Sequence, residues 1–401
     1  MTAASTSWIS VQEYLQKNDD QAIACVKQVD WQRLCQVASN ANRGLECVAL
    51  DEMSGGLNHI VRQLEFSDKT RWAARVPITR NQSPSFRAER LQTEIATMQF
   101  IWENSSLRIP QVFACDTDIH NDANAAFMLI EVLPGITAMD ALGGHRVHRG
   151  VIPVEHRKPF YRSVAECHVQ MTSLRLSKIG TITLNEDGKY EAGPIPGIGG
   201  PFDTAASFFK AWADSAKFKR DNETITRMMQ RGPISADEMI KILNEFPSQI
   251  KAIAGQLPFR NEGPFPLCHS DFIHSNIMVD EANFNVTGII DWEGACTVPW
   301  ALIAYPDFLQ ALPRSFDLPE KYDQDGQPCA EDVKQRWRER QDYCKMVKAA
   351  EGEDTLLSAS LENTLNQTLA YTYGAYTNGK LGFFDAVVEE LKAGAQWCPL
   401  T

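Results

Sequence analysis

One island of strand pattern inside a mainly helical stretch constrains this 401-residue chain more than any other feature. The island covers residues 276–293, where two apolar runs flank the polar turn EANFN, a pattern that predicts a β-hairpin. Around it, apolar residues recur at the spacing of a helix. The helical segments are 154–174, 204–229, 235–254, 300–312 and most of 331–393. The sequence therefore predicts a mainly helical region that contains one buried hairpin.

Polar residues stand at both ends of this hairpin. The pattern His-x-Asp-x-x-x-x-Asn puts His269, Asp271 and Asn276 just before its first strand, and Asp291 follows its second strand. Because a hairpin brings these two ends together, we expect Asn276 and Asp291 to be spatial neighbours. Phosphoryl transfer from a nucleotide needs a carboxylate that receives the acceptor's proton and oxygen ligands for Mg²⁺. Asp271 fits the first requirement, and Asn276 with Asp291 fits the second.

The motif does not by itself fix the roles of three neighbouring residues. His269 either braces the loop through hydrogen bonds or takes part in proton transfer. Glu293 either faces the ligand or forms a structural salt bridge, and Trp292 is expected to be a packed core residue.

The first half of the chain has a different pattern. Residues 1–44 are helical in character, and three strand-like runs follow at 45–50, 60–66 and 71–77. A long helix over 86–104 precedes two further strands, 111–116 and 126–132. This order predicts a small antiparallel sheet with one long helix. We therefore expect a helical extension (1–44), a β-rich lobe (45–133) and a helical lobe (134–401), with a ligand cleft between the two lobes.

At this point the chain resembles the aminoglycoside phosphotransferase-like family, and most closely its fungal branch of unassigned phosphotransferases. The resemblance rests on the His269, Asp271 and Asn276 pattern and on the Asp-Trp-Glu sequence that begins at Asp291. It extends from about residue 45 to beyond residue 306. It implies an α+β, two-lobed protein-kinase-like fold with a small antiparallel β-rich N-lobe and a mainly helical C-lobe. It also implies that ATP or GTP, with Mg²⁺, phosphorylates a small-molecule hydroxyl, with Asp271 as the base.

The resemblance also suggests which residues hold the nucleotide. The turn that contains Ser54, Gly55, Gly56 and Asn58 could cover the phosphates, since glycine lets backbone amides approach an anion. A plain hairpin turn is the alternative.

A charged pair and a hinge complete the predicted nucleotide site. Arg75 stands where kinases carry a phosphate-binding lysine, and Glu94 is its expected partner, with Glu89 as the alternative. Backbone groups from Glu131 to Leu133 would contact the base, unless this segment is simply a buried strand that runs into a turn.

The charge balance limits the possible partners. The chain carries 39 Lys and Arg against 51 Asp and Glu, a net charge of −12, which argues against nucleic acid and permits a cationic acceptor. No run reaches the roughly 20 apolar residues of a membrane helix. Acidic residues precede the first arginine, Arg33, so a cytoplasmic location is favoured over a mitochondrial one. A basic run at 145–158 is expected to be an exposed loop.

Two rival functions stay open. A nucleotide-binding pseudokinase that acts as a scaffold is favoured by Arg75 and by Ser270, which stands where relatives usually carry glycine. The complete set of Asp271, Asn276 and Asp291 opposes that interpretation. A protein kinase is disfavoured, because no long activation segment separates Asp291 from the sequence VPWALIAYP.

Overall fold

The computed structural model describes residues 8–78, 80, 83–144, 147 and 151–396, so most of the predicted basic loop lies outside the described residues. The chain divides into two compact units that do not follow chain order. The first unit is Met1–Val164, Ile182–Tyr190 and His269–Ala295, and the second unit is Ala165–Thr181, Glu191–Cys268 and Cys296–Thr401. The hairpin thus belongs to the same unit as the N-terminal sheet. The predicted division into an extension and two lobes stays a prediction.

Three short helices begin the first unit, as the sequence predicts. Each has a side chain at its N-terminus that accepts a hydrogen bond from a backbone N–H of the first turn, which satisfies a donor the helix itself cannot pair. The capping residues are Ser10, Asp19 and Asp30. The helices are α1 (Val11–Lys17), α2 (Asp20–Gln28) and α3 (Trp31–Ala41).

A six-stranded antiparallel sheet forms the body of this unit, in the order β1-β2-β3-β4-β6-β5. Its strands are β1 (Ile9–Ser10), β2 (Cys47–Gly55), β3 (His59–Phe66), β4 (Arg71–Pro77), β5 (Val112–Asp116) and β6 (Phe127–Glu131). The strand β2 is longer than predicted, because an irregularity between Ala49 and Met53 lets pairing resume beyond polar residues. Ser54 and Gly55 are therefore strand residues, and only 56–58 form the turn.

One long helix follows this part of the sheet, as predicted. It is α4 (Pro84–Asn104), which begins with the Ser83 cap and a proline in its first turn. Leu91, Ile95 and Met98 are buried at helical spacing.

The predicted hairpin is confirmed. Strands β12 (Ile277–Val279) and β13 (Val286–Ile289) pair antiparallel, and β12 also pairs with β7 (Ile136–Thr137). Gly135, just before β7, has a φ of +96°, and a Cβ there would lie 2.2 Å from the carbonyl oxygen of Val279. Only glycine fits this close approach.

The second unit is mainly helical and also contains short strands. The remaining strands are β8 (Arg175–Leu176), β9 (Gly180–Leu184), β10 (Tyr190–Gly193), β11 (Phe265–Cys268) and β14 (Cys296–Thr297). Within the second unit, β11 pairs with β8 and with β14, and β14 pairs with the first residues of β9. The remaining helices are α5 (Val154–Ser173), α6 (Ala205–Ser215), α7 (Asn222–Met229), α8 (Ala236–Ile253), α9 (Glu331–Glu351), α10 (Leu356–Glu362), α11 (Thr364–Thr377) and α12 (Phe384–Gln396).

One helical prediction was wrong. Residues 300–312 form two single 3₁₀ turns, Trp300–Leu302 and Asp307–Leu309, instead of an α-helix. Pro299 and Pro306 start these turns, and a proline at position 306 could not continue a helix because it lacks a backbone N–H. Over the described residues, no helix is both long and apolar enough to cross a bilayer.

Candidate functional site

The side chain of Arg75 joins four elements of the first unit. It projects from β4 and is only 9% exposed. Its Nη1 donates a hydrogen bond to Oε1 of Glu94 on α4, and its Nη2 donates to Oδ1 of Asp291 at 2.5 Å. The same Nη2 lies 3.1 Å from Nδ1 of His59 at the start of β3. Arg75 thus links two strands, the long helix and the segment that follows the hairpin.

The protonation states in this cluster follow from burial and charge. Burial lowers the pKa of Arg75, but the carboxylates of Glu94 and Asp291 outweigh it and raise the pKa overall, so the guanidinium stays charged. Burial raises the pKa of Glu94 to about 7, against the opposite effect of Arg75. Burial also lowers the pKa of His59 well below its usual range. His59 is therefore neutral, and its Nδ1 accepts the hydrogen bond from Arg75.

The geometry explains why an arginine suits this position. A guanidinium offers five N–H donors in a rigid fork, whereas a lysine offers one nitrogen. Arg75 uses the fork to reach Glu94 on one side and both His59 and Asp291 on the other. The contact between Arg75 and Glu94 is the one that the sequence favoured over Glu89.

Asp291 sits in a backbone conformation that few residues adopt. Its φ is +64°, in the left-handed region that aspartate tolerates better than most side chains. Trp292 follows it, fully buried, and donates its Nε1–H to the carbonyl of Ile289 at 3.2 Å. Trp292 is therefore the core residue that the sequence predicted. The side chain of Asp291 is 43% exposed, so it remains accessible from solvent.

His269 has hydrogen bonds at both ring nitrogens. Its Nδ1 accepts from the backbone N–H of Asp271, and its Nε2 donates to the carbonyl of Ile290, each at 3.0 Å. Its ring also packs edge-on against Trp292, with the centroids 4.8 Å apart. Burial lowers the pKa of His269, so the ring is neutral. These contacts are those of a brace, the first of the two roles considered for this residue.

Asp271 and Asn276 are joined directly. The Nδ2 of Asn276 donates to the backbone carbonyl of Asp271 at 2.9 Å and to its carboxylate at 3.4 Å. This use of Nδ2 orients the amide so that Oδ1 is its remaining acceptor. Asp271 itself is exposed, whereas Asn276 is buried. The loop therefore presents a carboxylate on a fixed backbone.

Asn276 and Asp291 come from adjacent ends of the hairpin. The backbone N–H of Ile290, the residue before Asp291, donates to the carbonyl of Asn276 at 2.9 Å, so the hairpin pairing extends to the residue that precedes Asp291. The described residues contain no group of three or more His, Cys, Asp or Glu placed to hold a metal. Magnesium takes only one or two protein ligands beside substrate phosphates, so an Asn and Asp pair suits it chemically.

The glycine-containing turn is tightly held. Gly56 donates its N–H to the carbonyl of His59 at 3.0 Å, and Asn58 donates its Nδ2–H to Oε2 of Glu293 at 2.9 Å. A Cβ on Gly55 would lie 2.5 Å from the hydroxyl oxygen of Tyr14 on α1. Gly55 is thus needed for packing against the N-terminal helix, a reason that the sequence did not reveal. Ser54 is buried in β2.

Glu293 has the structural role of the two considered. Besides Asn58, its carboxylate pairs with Nη2 of Arg90 on α4 at 3.0 Å, and its backbone carbonyl accepts from Oγ of Ser270 at 2.6 Å. The hydroxyl of Ser270 therefore connects the loop that carries Asp271 with the segment that carries Asp291.

The sequence did not single out Arg90 or His59. Arg90 lies one helical turn before Glu94, so both residues lie on the same face of α4, and this spacing could have pointed to Arg90. His59 directly follows Asn58 but belongs to no motif.

The predicted hinge residues stand apart from the Arg75 cluster. The N–H of Glu131 donates to the carbonyl of Gln111 at 2.9 Å, and its carboxylate pairs with Arg108. The side chain of Leu133 is buried. These contacts fit the alternative of a buried strand that runs into a turn, and contact between the backbone of Glu131 to Leu133 and a nucleotide base stays a prediction.

The chain belongs to the phosphotransferase enzyme family, whose sequence model matches residues 61–302, well over half of its length. That range includes Arg75, Glu94, Asp271, Asn276 and Asp291 but begins after the glycine-containing turn. The predicted family and the α+β class are confirmed.

Three proteins illustrate what the chain is similar to. A macrolide 2′-phosphotransferase type I is 16% identical, with 93% of this chain and 98% of that one covered and a TM-score of 0.42. A thermostable mutant of aminoglycoside phosphotransferase APH(4)-Ia is 14% identical, with 90% and 98% covered and a TM-score of 0.42. The altered inheritance of mitochondria protein 9, mitochondrial, of Meyerozyma guilliermondii is 22% identical over 203 residues, 49% of this chain. The chain spans about a third of that relative's length.

Proposed function

We propose that this phosphotransferase moves the terminal phosphoryl group of ATP or GTP to a hydroxyl group of a small molecule, with Mg²⁺. The observation that carries the proposal is the junction at Arg75, where a buried cation meets Asp291 beside the loop of Asp271 and Asn276. A nucleotide site needs these groups together, because phosphoryl transfer depends on charge stabilisation and positioning.

The donor set fits magnesium. Oδ1 of Asn276 and the carboxylate of Asp291 are hard oxygen donors from adjacent ends of the hairpin, and we assign the metal to them. When bound, the ion would neutralise charge on the phosphates.

We assign to Asp271 the role of the base that takes the proton of the acceptor hydroxyl. The acceptor oxygen forms a bond to phosphorus as the bond from phosphorus to the bridging oxygen of the nucleotide breaks, and the hydroxyl proton passes to the carboxylate of Asp271. His269 and Asn276 both hydrogen-bond the backbone of Asp271, which fixes the direction of that carboxylate. His269 therefore contributes by holding the loop.

Arg75 is assigned the phosphates. Its Nη2 lies against Asp291, so both the cation and the proposed metal ligand can turn toward the same phosphate group. Glu94 keeps the guanidinium in place because it is fully buried and has Arg75 as its cation. The turn at Gly56 and Asn58 would lie over the phosphates.

The short segment between the hairpin and the first 3₁₀ turn favours a small-molecule acceptor. Only eight residues separate Asp291 from Trp300, too few for the long activation segment on which protein kinases bind peptides. The net charge of −12 favours a neutral or cationic acceptor over nucleic acid. A cytoplasmic location remains our prediction.

The rival function is a nucleotide-binding scaffold. It is favoured by the salt bridge between Arg75 and Asp291, which engages the proposed metal ligand. A metabolite extract incubated with ATP, Mg²⁺ and the protein separates the two functions, with mass spectrometry to detect phosphorylated products. Products that require wild-type protein and disappear with Asp271→Asn support the enzyme. ATP binding without any such product would favour the scaffold.

A further inference from the structure

Glu293 contacts three separate parts of the first unit, two through its carboxylate and one through its backbone carbonyl. Oε2 accepts from Nδ2 of Asn58 in the glycine-containing turn, and Oε1 pairs with Nη2 of Arg90 on α4. The backbone carbonyl of Glu293 accepts from Ser270, the residue before Asp271. The side chain of Glu293 is 14% exposed, so these partners replace most of its water.

Glu293 also lies close to the proposed metal ligand in sequence. Asp291 precedes it by two residues and has a φ of +64°. A non-glycine residue in this region is strained and persists only where its surroundings hold it. Arg75 holds Asp291 directly, and Glu293 holds the chain that follows. Loss of the Glu293 contacts would therefore release one side of Asp291.

The turn is held from its other side as well. Arg80 donates its Nε–H to the carbonyl of Leu57 at 2.6 Å, and the backbone N–H of Ile78 donates to the carbonyl of Asn58 at 2.7 Å. The side chain of Asn58 then closes the turn onto Glu293. A turn with anchors on both sides is preorganised, and a preorganised site binds its ligand with less loss of entropy.

We propose that Glu293 is a positioning residue that couples the proposed metal ligand Asp291 to the turn over the phosphates. This inference rests on the proposed function. One residue connects both halves of the site, its carboxylate to the turn and its backbone to Asp291 two residues earlier, so it makes Mg²⁺ and nucleotide bind cooperatively. Such coupling is reciprocal: the nucleotide strengthens metal binding by the factor by which the metal strengthens nucleotide binding.

The test measures this coupling without any acceptor. Isothermal calorimetry gives the Kd of ATP with and without MgCl₂ for wild type, Glu293→Ala and Glu293→Gln. For Glu293→Ala we expect the gain in ATP affinity from Mg²⁺ to shrink about tenfold, within the usual range of coupling. Glu293→Gln keeps an acceptor for Asn58 but loses the charge opposite Arg90, so its gain should be intermediate.

A matched control comes from the far end of β3, the strand that follows the glycine-containing turn. Glu65 on β3 pairs with Lys69 and Arg71 at the surface. Glu65→Gln removes an ion-paired carboxylate from the same sheet and should leave both ATP affinities unchanged.

A double-mutant cycle with Asn58→Ala tests the connection itself. Because Asn58 and Glu293 share one hydrogen bond, their effects on Mg·ATP affinity should be less than additive. Additive effects, or equal losses with and without Mg²⁺, would overturn the inference. If Glu293→Ala does not fold, the near-isosteric Glu293→Gln decides the outcome.

The two proposals fail in different ways. Wild-type protein that binds no ATP in either condition refutes the proposed function and this inference with it. Wild-type protein that shows a Mg²⁺-dependent gain, matched by an equal gain in Glu293→Ala, refutes the inference alone.

Discussion

Removal of Arg75 should destabilise the protein in a way that depends on pH. The variant Arg75→Met keeps an apolar stem but leaves the carboxylate of Glu94, 1% exposed, without its cation. Removal of one partner of a buried pair costs about 3–5 kcal/mol when the other stays charged. Glu94 can reduce this cost by taking up a proton, since burial already raises its pKa to about 7 in the wild type.

The direction of the pH effect follows from this raised pKa. A group with a folded-state pKa above its unfolded value stabilises the fold at low pH, and that contribution is lost as the pH rises through the folded pKa. In wild type most of that contribution is lost by pH 7, and the small remainder is lost within about one pH unit above it. Without Arg75 the pKa of Glu94 rises further. Above pH 7 the free energy of unfolding of the variant therefore continues to fall by about 1.4 kcal/mol per pH unit. The stability deficit should therefore grow by about 2 kcal/mol between pH 7 and pH 8.5.

Urea unfolding followed by tryptophan fluorescence measures this deficit at pH 6, 7 and 8.5. The matched control is the double variant Arg75→Met with Glu94→Gln, which has no titrating carboxyl group at this site, so its own free energy of unfolding should not show this fall between pH 7 and pH 8.5. A deficit in Arg75→Met that is constant, or larger at pH 6, would refute the argument that Glu94 is the group left unpaired.

Three further predictions concern single positions. Asp271→Asn should bind Mg·ATP as wild type does while transfer falls about 10²–10⁴-fold in the extract assay, whereas Asp291→Asn should also raise the Mg²⁺ concentration needed for half-maximal rate. Ser270→Ala removes one hydrogen bond and should lower the free energy of unfolding by about 1 kcal/mol. Ser270→Gly should be less stable still, because glycine gains more backbone entropy in the unfolded chain. Stability equal to wild type in urea would contradict this. Gly55→Ala should destabilise the protein because the added Cβ clashes with the hydroxyl of Tyr14. Adding Tyr14→Phe should partly restore the melting temperature, because the Tyr14 hydroxyl is buried with no hydrogen-bond partner among the described residues. No rescue would show that the clash lies elsewhere.

The parts of the site that the sequence predicted are those set by local pattern. The hairpin could be predicted because two apolar runs flank a polar turn. The pairing of its two strands is enough to bring the chain at Asn276 near the chain at Asp291. The pair of Arg75 and Glu94 was predicted from the resemblance to kinases, in which a strand residue pairs with a glutamate on the next helix. The sheet and α4 do bring the two side chains together.

The parts that the sequence did not predict depend on distant contacts. Asn58 and Glu293 are 235 residues apart, and no spacing rule connects them. The reason for Gly55 lies in Tyr14, on a helix that carries no motif. The segment 300–312 has helical apolar spacing, but its prolines determine the backbone instead. In each case tertiary packing or a single residue type overrides the local pattern.

The position of β2 matters for any attempt to shorten the protein. The family match begins at residue 61, inside β3, whereas β2 and β1 lie outside it. A fragment cut at that boundary would lose both strands, and β3 would become an open edge with unpaired backbone N–H and C=O groups. Exposed edges of this kind pair with other chains and promote aggregation. The region shared with the family is thus smaller than the piece that can fold, and a shortened version should keep the chain from Trp8 onward.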